Sequence, residues 1–354
     1  MSRFFSAKFD SLTPYTPGEQ PKGVTYIKLN TNESPFPPPP LVQQYVKAEA
    51  ARLQLYSDPE CRDLVAIAAE KLGLAPDEIL FTNGSDEILN FAFMAFCDAA
   101  HPAVFPDITY GFYPVFAQVN NVPYTQIPLQ EDFSIRVEDY IGLNQTIFIA
   151  NPNAPTGLAL SLEDIERIVA GNPDSVVVID EAYVDFGAES ALTLIPKYDN
   201  LLVTQTFSKS RSMAGARLGF GAGNKNLIRD LNTIKYSTNP YNVNRMTMAA
   251  GVGALEADGH FKVNCQKIME NRDWTTMELI KLGFFVVPSM ANFVFAKYPG
   301  IPGRDLNLAL REKGILVRHF PTNKLKDYNR ITIGDREQMK RLVAALKEIL
   351  EESP

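Results

Sequence analysis

The chain has 354 residues, of which 45% are hydrophobic and 21% are charged; at roughly 100–200 residues per domain this allows two to three domains. Lys and Arg number 34 against 41 Asp and Glu, which gives a formal net charge of −7. Because the sequence has no run of five or six like charges, nucleic acid and anionic lipid are excluded as expected partners. The longest apolar runs are far shorter than the roughly 20 residues of a membrane span.

The cysteine and histidine residues indicate neither a disulfide framework nor a metal site. The three Cys and three His are scattered, without the C-x-x-C pair or the close His spacing that zinc ligands show. The first ten residues mix charged and aromatic side chains, so they lack the continuous apolar segment of a signal peptide. We therefore expect a cytoplasmic protein without a bound metal.

Residues 1–40 differ from the rest of the chain. They are polar, aromatic and rich in Pro, and the run over 35–40 favours extended polyproline II and excludes helix. The sequence therefore predicts an extended N-terminal arm and linker over these forty residues.

From residue 41 onward, segments with helical and strand patterns alternate. Helical periodicity covers 41–53, 63–72, 85–96 and 162–170, the last with Ser161 and Asp164 as a capping signature. Short apolar runs bounded by Gly, Pro or Asn cover 78–81, 103–105, 124–127, 146–150, 176–180, 201–206 and 217–221. This alternation predicts an α/β fold with a mainly parallel sheet sandwiched between helices.

The last third of the chain has a different pattern. A long amphipathic stretch over 245–282 precedes strand-like and helical segments at 285–287, 292–296, 304–313, 315–317, 330–333 and 337–351. This pattern predicts a smaller α+β domain. The expected division is an arm over 1–40, a large domain over 41–244 and a small C-terminal domain over 245–354.

One lysine lies shortly after a predicted strand, in a segment that also contains hydroxylated residues and an arginine. Lys209 has Ser208 before it and Arg217 eight residues after it, and the residues between are mostly small or hydroxylated. Another apolar strand ends in Asp180, and Tyr183 follows three residues later. Ligands of open α/β sheets bind at the carboxyl ends of the strands. These side chains are therefore candidate site residues, although a loop lysine taken alone is more often a solvated side chain.

Two further segments lie at strand ends. Gly84, Ser85 and Asp86 mark a change from strand to helix. Free N–H groups at a helix start bind phosphate, but Ser and Asp there serve equally well as N-caps. Asn153 lies in a Pro- and Gly-rich turn after another strand, and turn chemistry alone explains that composition as well.

Taken together, these segments fit pyridoxal 5′-phosphate. Its aldehyde forms a Schiff base with a lysine, here Lys209, and its ring accepts electrons only while the pyridine nitrogen stays protonated. A buried carboxylate such as Asp180 retains that proton by charge pairing. Tyr183 is the candidate donor to the ring oxygen, while Arg217 and Ser208 join the helix start around the phosphate.

The order and spacing of these segments resemble those of the fold-type I pyridoxal-phosphate aminotransferases over nearly the whole chain. The matching segments are LTPY at 12–15, LNTNESP at 29–35, Tyr56 with Asp58-Pro59, GSDE at 84–87, TYG at 109–111, residues 153–157, DEAY at 180–183, Ser208-Lys209, AGAR at 214–217, Val317-Arg318 and RITIG at 330–334. Within this family the chain is similar to the histidinol-phosphate aminotransferases. The resemblance implies pyridoxal phosphate as cofactor and transamination as the reaction.

The resemblance also implies a role for each matching residue. The implied catalytic residues are Lys209, Asp180 and Tyr183. The implied cofactor-binding residues are Gly84, Ser85, Asp86, Tyr110, Asn153, Asp180, Tyr183, Thr206, Ser208, Lys209, Arg217 and Tyr56. The implied substrate-binding residues are Tyr15, Asn32, Arg318 and Arg330.

Some of these implied roles are specific. By the resemblance, Tyr110 is expected to stack on the cofactor ring and Arg330 to clamp the substrate α-carboxylate. Tyr15 and Arg318 lie near the distal group, where histidinol phosphate presents its phosphate. Tyr56 reaches the cofactor phosphate of the neighbouring subunit, which implies a homodimer with shared sites.

The chain departs from its relatives at one position. Many of them have Asn immediately before Pro-Thr-Gly, where this chain has Ala154. That change leaves Asn153, one residue earlier, as the candidate for the contact with the ring oxygen.

The substrates follow from the resemblance alone: histidinol phosphate with imidazole-acetol phosphate, and glutamate with 2-oxoglutarate. An aromatic amino-acid aminotransferase or a phosphothreonine decarboxylase-like enzyme stays open, because a similar pocket would serve either. Gly219, Gly221 and Gly223 suggest a dinucleotide-dependent dehydrogenase, but their G-x-G-x-G spacing disfavours it. A non-catalytic relative is disfavoured by the intact Lys209 and Asp180.

Overall fold

The computed structural model describes residues 2–10, 12–21, 23 and 25–352. Its strands are β1 (Ile27–Leu29), β2 (Ile79–Thr82), β3 (Ala103–Pro106), β4 (Tyr124–Ile127), β5 (Thr146–Ala150), β6 (Val177–Asp180), β7 (Leu201–Thr206), β8 (Gly219–Gly223), β9 (Phe285–Val287), β10 (Phe293–Lys297), β11 (Ile315–His319) and β12 (Asn329–Thr332). Its α-helices are α1 (Pro40–Ala50), α2 (Arg62–Leu72), α3 (Ser85–Phe96), α4 (Tyr113–Val119), α5 (Leu162–Ala170), α6 (Lys225–Thr238), α7 (Arg245–Glu256), α8 (Asp258–Lys281), α9 (Gly303–Glu312) and α10 (Arg336–Glu352).

Seven strands form the larger sheet, in the order β2-β8-β7-β6-β5-β3-β4. The five strands from β7 to β4 run parallel, while β8 is antiparallel to both of its neighbours. Along β5, Ile147 and Ile149 enter one hydrophobic core while Phe148 enters another. Both faces of the sheet are therefore covered, and the predicted α/β fold with a mainly parallel sheet is confirmed.

The parallel strands also align their carboxyl ends. Ala150 of β5 pairs with Asp180 of β6, and Asp180 pairs with Thr204 of β7. The loops that leave these three strands therefore start from one edge of the sheet, where open α/β sheets bind ligands.

A second sheet has the order β1-β11-β12-β10-β9. Four of its strands belong to the C-terminal third, as predicted. The fifth, β1, comes from the segment expected to be an arm, and it pairs in parallel with β11, with Ile27 opposite Ile315. Residues of α8, α9 and α10 pack against this sheet in one apolar core.

Several element boundaries differ from the predictions for clear local reasons. Pro40 is the first residue of α1, because proline is well suited to the first helical position. The expected strand from residue 217 begins at Gly219 instead, because Arg217 has a left-handed φ of 55°. The long stretch from residue 245 is two helices that meet at Ala257. The capping signature at residue 161 is confirmed, since Ser161 Oγ accepts from the Asp164 amide at 3.1 Å.

Membrane-spanning helices and metal-binding clusters are both absent from the described residues. No helix in them is both long enough and apolar enough to cross a membrane. Nor do these residues contain a group of three or more His, Cys, Asp or Glu side chains arranged to hold a metal ion.

Candidate active site

A cavity of about 630 Å³ opens at the carboxyl ends of β5, β6 and β7. This volume is typical of a site for a small-molecule ligand. The predicted site residues that line it are Tyr15, Asn32, Ser85, Asp86, Tyr110, Asp180, Tyr183, Thr206, Ser208, Lys209, Arg217, Arg318 and Arg330. The fold thus brings into one cavity residues from both sheets and from the N-terminal segment.

Lys209 follows the end of β7 and lines the cavity. Its Nζ donates to the Thr31 carbonyl oxygen at 3.2 Å. Burial lowers the pKa of Lys209 to about 8, and the charge of Arg330 is the second cause. We expect a neutral amine to form readily at this position, as general-base work requires.

Asp180 is the last residue of β6 and is 4% exposed. Burial raises the pKa of this carboxyl to about 7, while a hydrogen bond from Tyr113 acts in the opposite direction. Tyr113 Oη donates to Oδ2 at 3.0 Å. Oδ1 is buried without a hydrogen-bond partner among the described residues, so it is available to a ligand in the cavity.

Tyr183 and Asn32 form the centre of a hydrogen-bond network. Asn32 Nδ2 donates to Tyr183 Oη at 2.9 Å, and Asn32 Oδ1 accepts from Thr332 Oγ1 at 2.9 Å. Because the phenol oxygen already accepts from an amide, its own O–H is directed elsewhere, which leaves it as a donor to the cavity. Asn32 was expected to bind substrate, but its side-chain amide is engaged by Tyr183 and Thr332.

Arg217 and Ser208 meet the start of α3 at one end of the cavity. Arg217 Nη2 pairs with Asp86 Oδ2 at 3.0 Å, and Nη1 donates to Ser208 Oγ at 3.4 Å. Gly84 has a φ of +85°, and a Cβ there would stand 2.7 Å from Arg217 Nη2. The positive φ favours glycine at this position, and the absence of a Cβ leaves room for the guanidinium beside the helix start. Arginine, hydroxyl and helix N–H groups together suit a phosphate dianion.

Tyr110 forms part of the cavity wall. Its hydroxyl donates to Asp86 Oδ1 at 2.7 Å, and its ring meets Tyr113 edge to face at 5.7 Å. The position of the ring is thereby fixed on two sides. A rigid aromatic side chain in the wall is suited to stacking against a flat ligand.

The other end of the cavity is cationic. Arg330 Nη2 donates to the Asn30 carbonyl oxygen at 3.0 Å, while its Nε is buried without a partner among the described residues. Arg318 donates to two carbonyl oxygens of the N-terminal segment. Both arginines act on Tyr15, whose pKa they lower against the larger effect of burial, which raises it. Such a pair suits carboxylate or phosphate.

Some residues of this site were not predicted from the sequence. Tyr113 contacts Asp180 from behind the cavity. Lys324 lines the cavity and pairs with Asp107 Oδ2 at 2.7 Å, and Phe320 is another lining residue. Tyr113 follows TYG at 109–111 by two residues, and that proximity is the one signal that could have identified it.

Three predicted residues, Gly84, Asn153 and Tyr56, are not among the described residues that line the cavity; Gly84 lies beside Arg217, and Tyr56 was expected at the site of a neighbouring subunit. Asn153 is not among the described residues that line the cavity, since its Nδ2 is held by the Ile108 carbonyl oxygen and Thr156 Oγ1, each at 3.1 Å. Ala154 lines the cavity in its place. Tyr56 is 80% exposed and stacks on Tyr241 at 4.7 Å, outside the cavity of its own chain.

The glycines that suggested a dinucleotide site have a structural role. Gly219, Gly221 and Gly223 all lie inside β8 instead of in a loop that opens a helix, which a dinucleotide fingerprint requires. Close packing explains why glycine is found there, since a Cβ on Gly219 would stand 2.4 Å from the Ser85 nitrogen. The dehydrogenase alternative is therefore wrong.

Comparisons with known proteins give a consistent result. The family model described as aminotransferase class I and II matches residues 24–346. The histidinol-phosphate aminotransferase of Brachyspira hyodysenteriae is 49% identical over 352 residues, covering 99% of each chain. Histidinol-phosphate aminotransferase 2 of Dechloromonas aromatica is 48% identical over 354 residues, again covering 99% of each.

A solved structure has the same fold. The histidinol-phosphate aminotransferase from Sinorhizobium meliloti in complex with pyridoxal-5′-phosphate superimposes with a TM-score of 0.88. The superposition covers 99% of this chain and 98% of that one, at 24% identity. This likeness supports the predicted architecture.

Proposed function

Since the chain belongs to the aminotransferase class I and II family, we propose that it is a pyridoxal-phosphate-dependent transaminase that converts histidinol phosphate and 2-oxoglutarate to imidazole-acetol phosphate and glutamate. This is a step of histidine biosynthesis. The observation that supports it most is one cavity lined by Lys209, whose pKa is lowered by burial, together with Asp180 and the three arginines Arg217, Arg318 and Arg330. The names of the relatives at 49% and 48% identity favour histidinol phosphate as the substrate.

The residues present fit pyridoxal phosphate. Asp180 Oδ1 is a buried acceptor without a partner among the described residues, as a protonated ring nitrogen would require. Arg217, Ser208 and the start of α3 would hold the phosphate, and Lys209 would hold the aldehyde carbon. Tyr183 Oη is a free donor for the ring oxygen. When bound, the cofactor supplies an electron sink for the bond that breaks at the substrate α-carbon.

The chain's own groups would then perform three tasks. Lys209 Nζ would accept the proton that leaves the substrate α-carbon and would deliver it to the cofactor carbon C4′, and the lowered pKa of Lys209 suits this work near neutral pH. Tyr110 limits the tilt of the bound ring. Arg330 and Arg318 hold the substrate anion, so that the phosphate of one substrate and the carboxylate of the other are accepted in turn.

An exposed apolar surface supports a homodimer. Four of its side chains are each at least 45% exposed: Leu53, Leu55, Tyr56 and Tyr241. Arg245 Nη1 donates a hydrogen bond of 2.9 Å to the Tyr56 carbonyl oxygen. Exposed apolar patches of this kind mark interaction sites. We propose that a second copy of the chain covers this surface, and that Tyr56 completes the phosphate site of its neighbour.

The compartment proposed for this dimer is the cytoplasm. The three cysteines are free, and burial raises the pKa of each thiol. Protonated, unpaired thiols are typical of a reducing compartment.

Visible absorbance of the purified protein with added pyridoxal phosphate tests the proposal. We expect a band that decays fastest on adding histidinol phosphate and more slowly with phenylalanine. Lys209→Ala should lose this response. The matched control is Lys324→Ala, which removes another cavity lysine and should keep the band. A band that responds only to phenylalanine would assign an aromatic amino-acid substrate instead, and no band at all would refute the cofactor.

A further inference from the structure

Tyr113 begins α4 and lies completely inside the protein. Its exposed fraction is 0%, and its ring meets those of Phe105 and Tyr110 edge to face at 5.6 and 5.7 Å. Its hydroxyl donates to Asp180 Oδ2 at 3.0 Å. Tyr113 does not belong to the described residues that line the cavity: its ring contacts Tyr110, while its hydroxyl reaches the site through Asp180.

The hydrogen bond from Tyr113 gives the two oxygens of the Asp180 carboxylate different environments. Oδ2 is occupied, whereas Oδ1 is buried with no partner in the described part of the chain. Burial and the Asp180 charge raise the pKa of Tyr113 well above its ordinary value, so the phenol keeps its proton and remains a donor. A carboxylate that is held at one oxygen presents the other in a fixed direction.

We propose that Tyr113 is a positioning residue that fixes the Asp180 carboxylate through Oδ2 and so presents Oδ1 to the ring nitrogen of the cofactor. This inference deepens the proposed function and rests on it. The role belongs to the hydroxyl group, because the aromatic ring alone would fill the same core space.

The groups that face Asp180 shift the pKa of its carboxyl in opposite directions. Burial and the charge of Asp86 on α3 raise the pKa of the Asp180 carboxyl, whereas Tyr113 and the Ala182 amide lower it. Tyr110 also faces Asp180, but it is a neutral phenol. Removing the Tyr113 hydroxyl would therefore favour a protonated carboxyl, which cannot hold a proton on the ring nitrogen by charge pairing.

The test compares two ligands rather than activities. Dissociation constants are measured for pyridoxal phosphate and for its analogue with CH in place of the ring nitrogen, using wild type and Tyr113→Phe. A hydrogen bond to a charged group predicts that the variant binds pyridoxal phosphate roughly ten-fold more weakly or worse. Its affinity for the analogue should be unchanged, because the analogue has no ring nitrogen to pair with Asp180. Equal weakening for both ligands, or no weakening for either, would overturn the proposal.

A matched control separates this role from simple loss of a buried hydroxyl. Tyr140 is 1% exposed, and its Oη has no partner among the described residues. Tyr140→Phe should bind both ligands as wild type does. If it weakens pyridoxal phosphate as strongly as Tyr113→Phe, the effect comes from the core and the proposal fails.

A second pair of variants covers the case in which Tyr113→Phe does not fold. The single variant Asp180→Asn is compared with the double variant Asp180→Asn/Tyr113→Phe. With asparagine at position 180, removing the Tyr113 hydroxyl no longer leaves a buried carboxylate without its hydrogen-bond donor. The two should bind pyridoxal phosphate equally, and a further loss in the double variant would overturn the proposal. Wild type that binds neither ligand would overturn the proposed function as well, whereas normal binding by both wild type and Tyr113→Phe overturns only the role of Tyr113.

Discussion

Substituting Gly219 by alanine tests the construction of the phosphate end of the cavity. A Cβ at this position would stand 2.4 Å from the Ser85 nitrogen, 2.7 Å from the Gly84 carbonyl carbon and 2.9 Å from the Gln205 oxygen. All three neighbours are backbone atoms, so no side chain can rotate away. Ordinary contact lies near 3.5 Å, which means that the start of α3 must move by about 1 Å.

Two losses are expected from this shift. Overpacking of a tight site costs about 1–3 kcal/mol of unfolding free energy. Displacing the N–H groups of α3 from a bound phosphate weakens charge-assisted hydrogen bonds, which we expect to reduce pyridoxal-phosphate affinity by roughly 10- to 100-fold. Urea unfolding of the cofactor-free protein measures the first loss, and titration of the visible absorbance measures the second.

Gly215→Ala is the matched control, because a Cβ there would meet nothing within 4 Å. Gly215 lies in the same loop, between the lysine and β8. We expect both quantities to stay at their wild-type values in this variant. Wild-type stability and affinity in Gly219→Ala would refute the packing argument, as would equal losses in the two variants.

Two further substitutions test a buried carboxyl and the cationic end. Burial raises the pKa of Glu181 to about 7, so folding favours its protonated form. Cofactor-free wild type should therefore lose about 2.5 kcal/mol of stability relative to Glu181→Gln between pH 5 and pH 8. Urea unfolding at both pH values checks this, and a difference independent of pH contradicts it. Arg330→Lys should lower kcat/KM for glutamate roughly 10- to 100-fold, because an ammonium lacks the two parallel N–H donors of arginine. Steady-state kinetics measure this ratio. The control is Arg336→Lys, for which we expect the wild-type kcat/KM.

The site residues that could be predicted are those that follow strand ends. Lys209 and Asp180 each follow or end an apolar run, so a parallel sheet places them on one edge whatever the details of the helices. Tyr113 could not be found in this way, because a tyrosine within an apolar helix has the same pattern as a packing residue. Its role depends on a single contact between α4 and β6, which no periodicity records.

Short elements and tight turns were the least predictable parts of the fold. β1 has only three residues, too few for an alternation to show, and its partner lies far along the chain. The turn at Asn153 and Ala154 illustrates the same difficulty, since which of two adjacent side chains faces the cavity depends on local backbone geometry. Family resemblance placed the asparagine near the site but could not give its direction.

The pairing of β1 with β11 affects the order in which the chain can assemble on the ribosome. Ile27 has no partner until Ile315 has been synthesised, a delay of roughly 15–60 s at about 5–20 residues per second. Every strand of the larger sheet, by contrast, lies between Ile79 and Gly223. The strands that position Lys209 are therefore complete in the nascent chain before β12, which carries Arg330, has been synthesised.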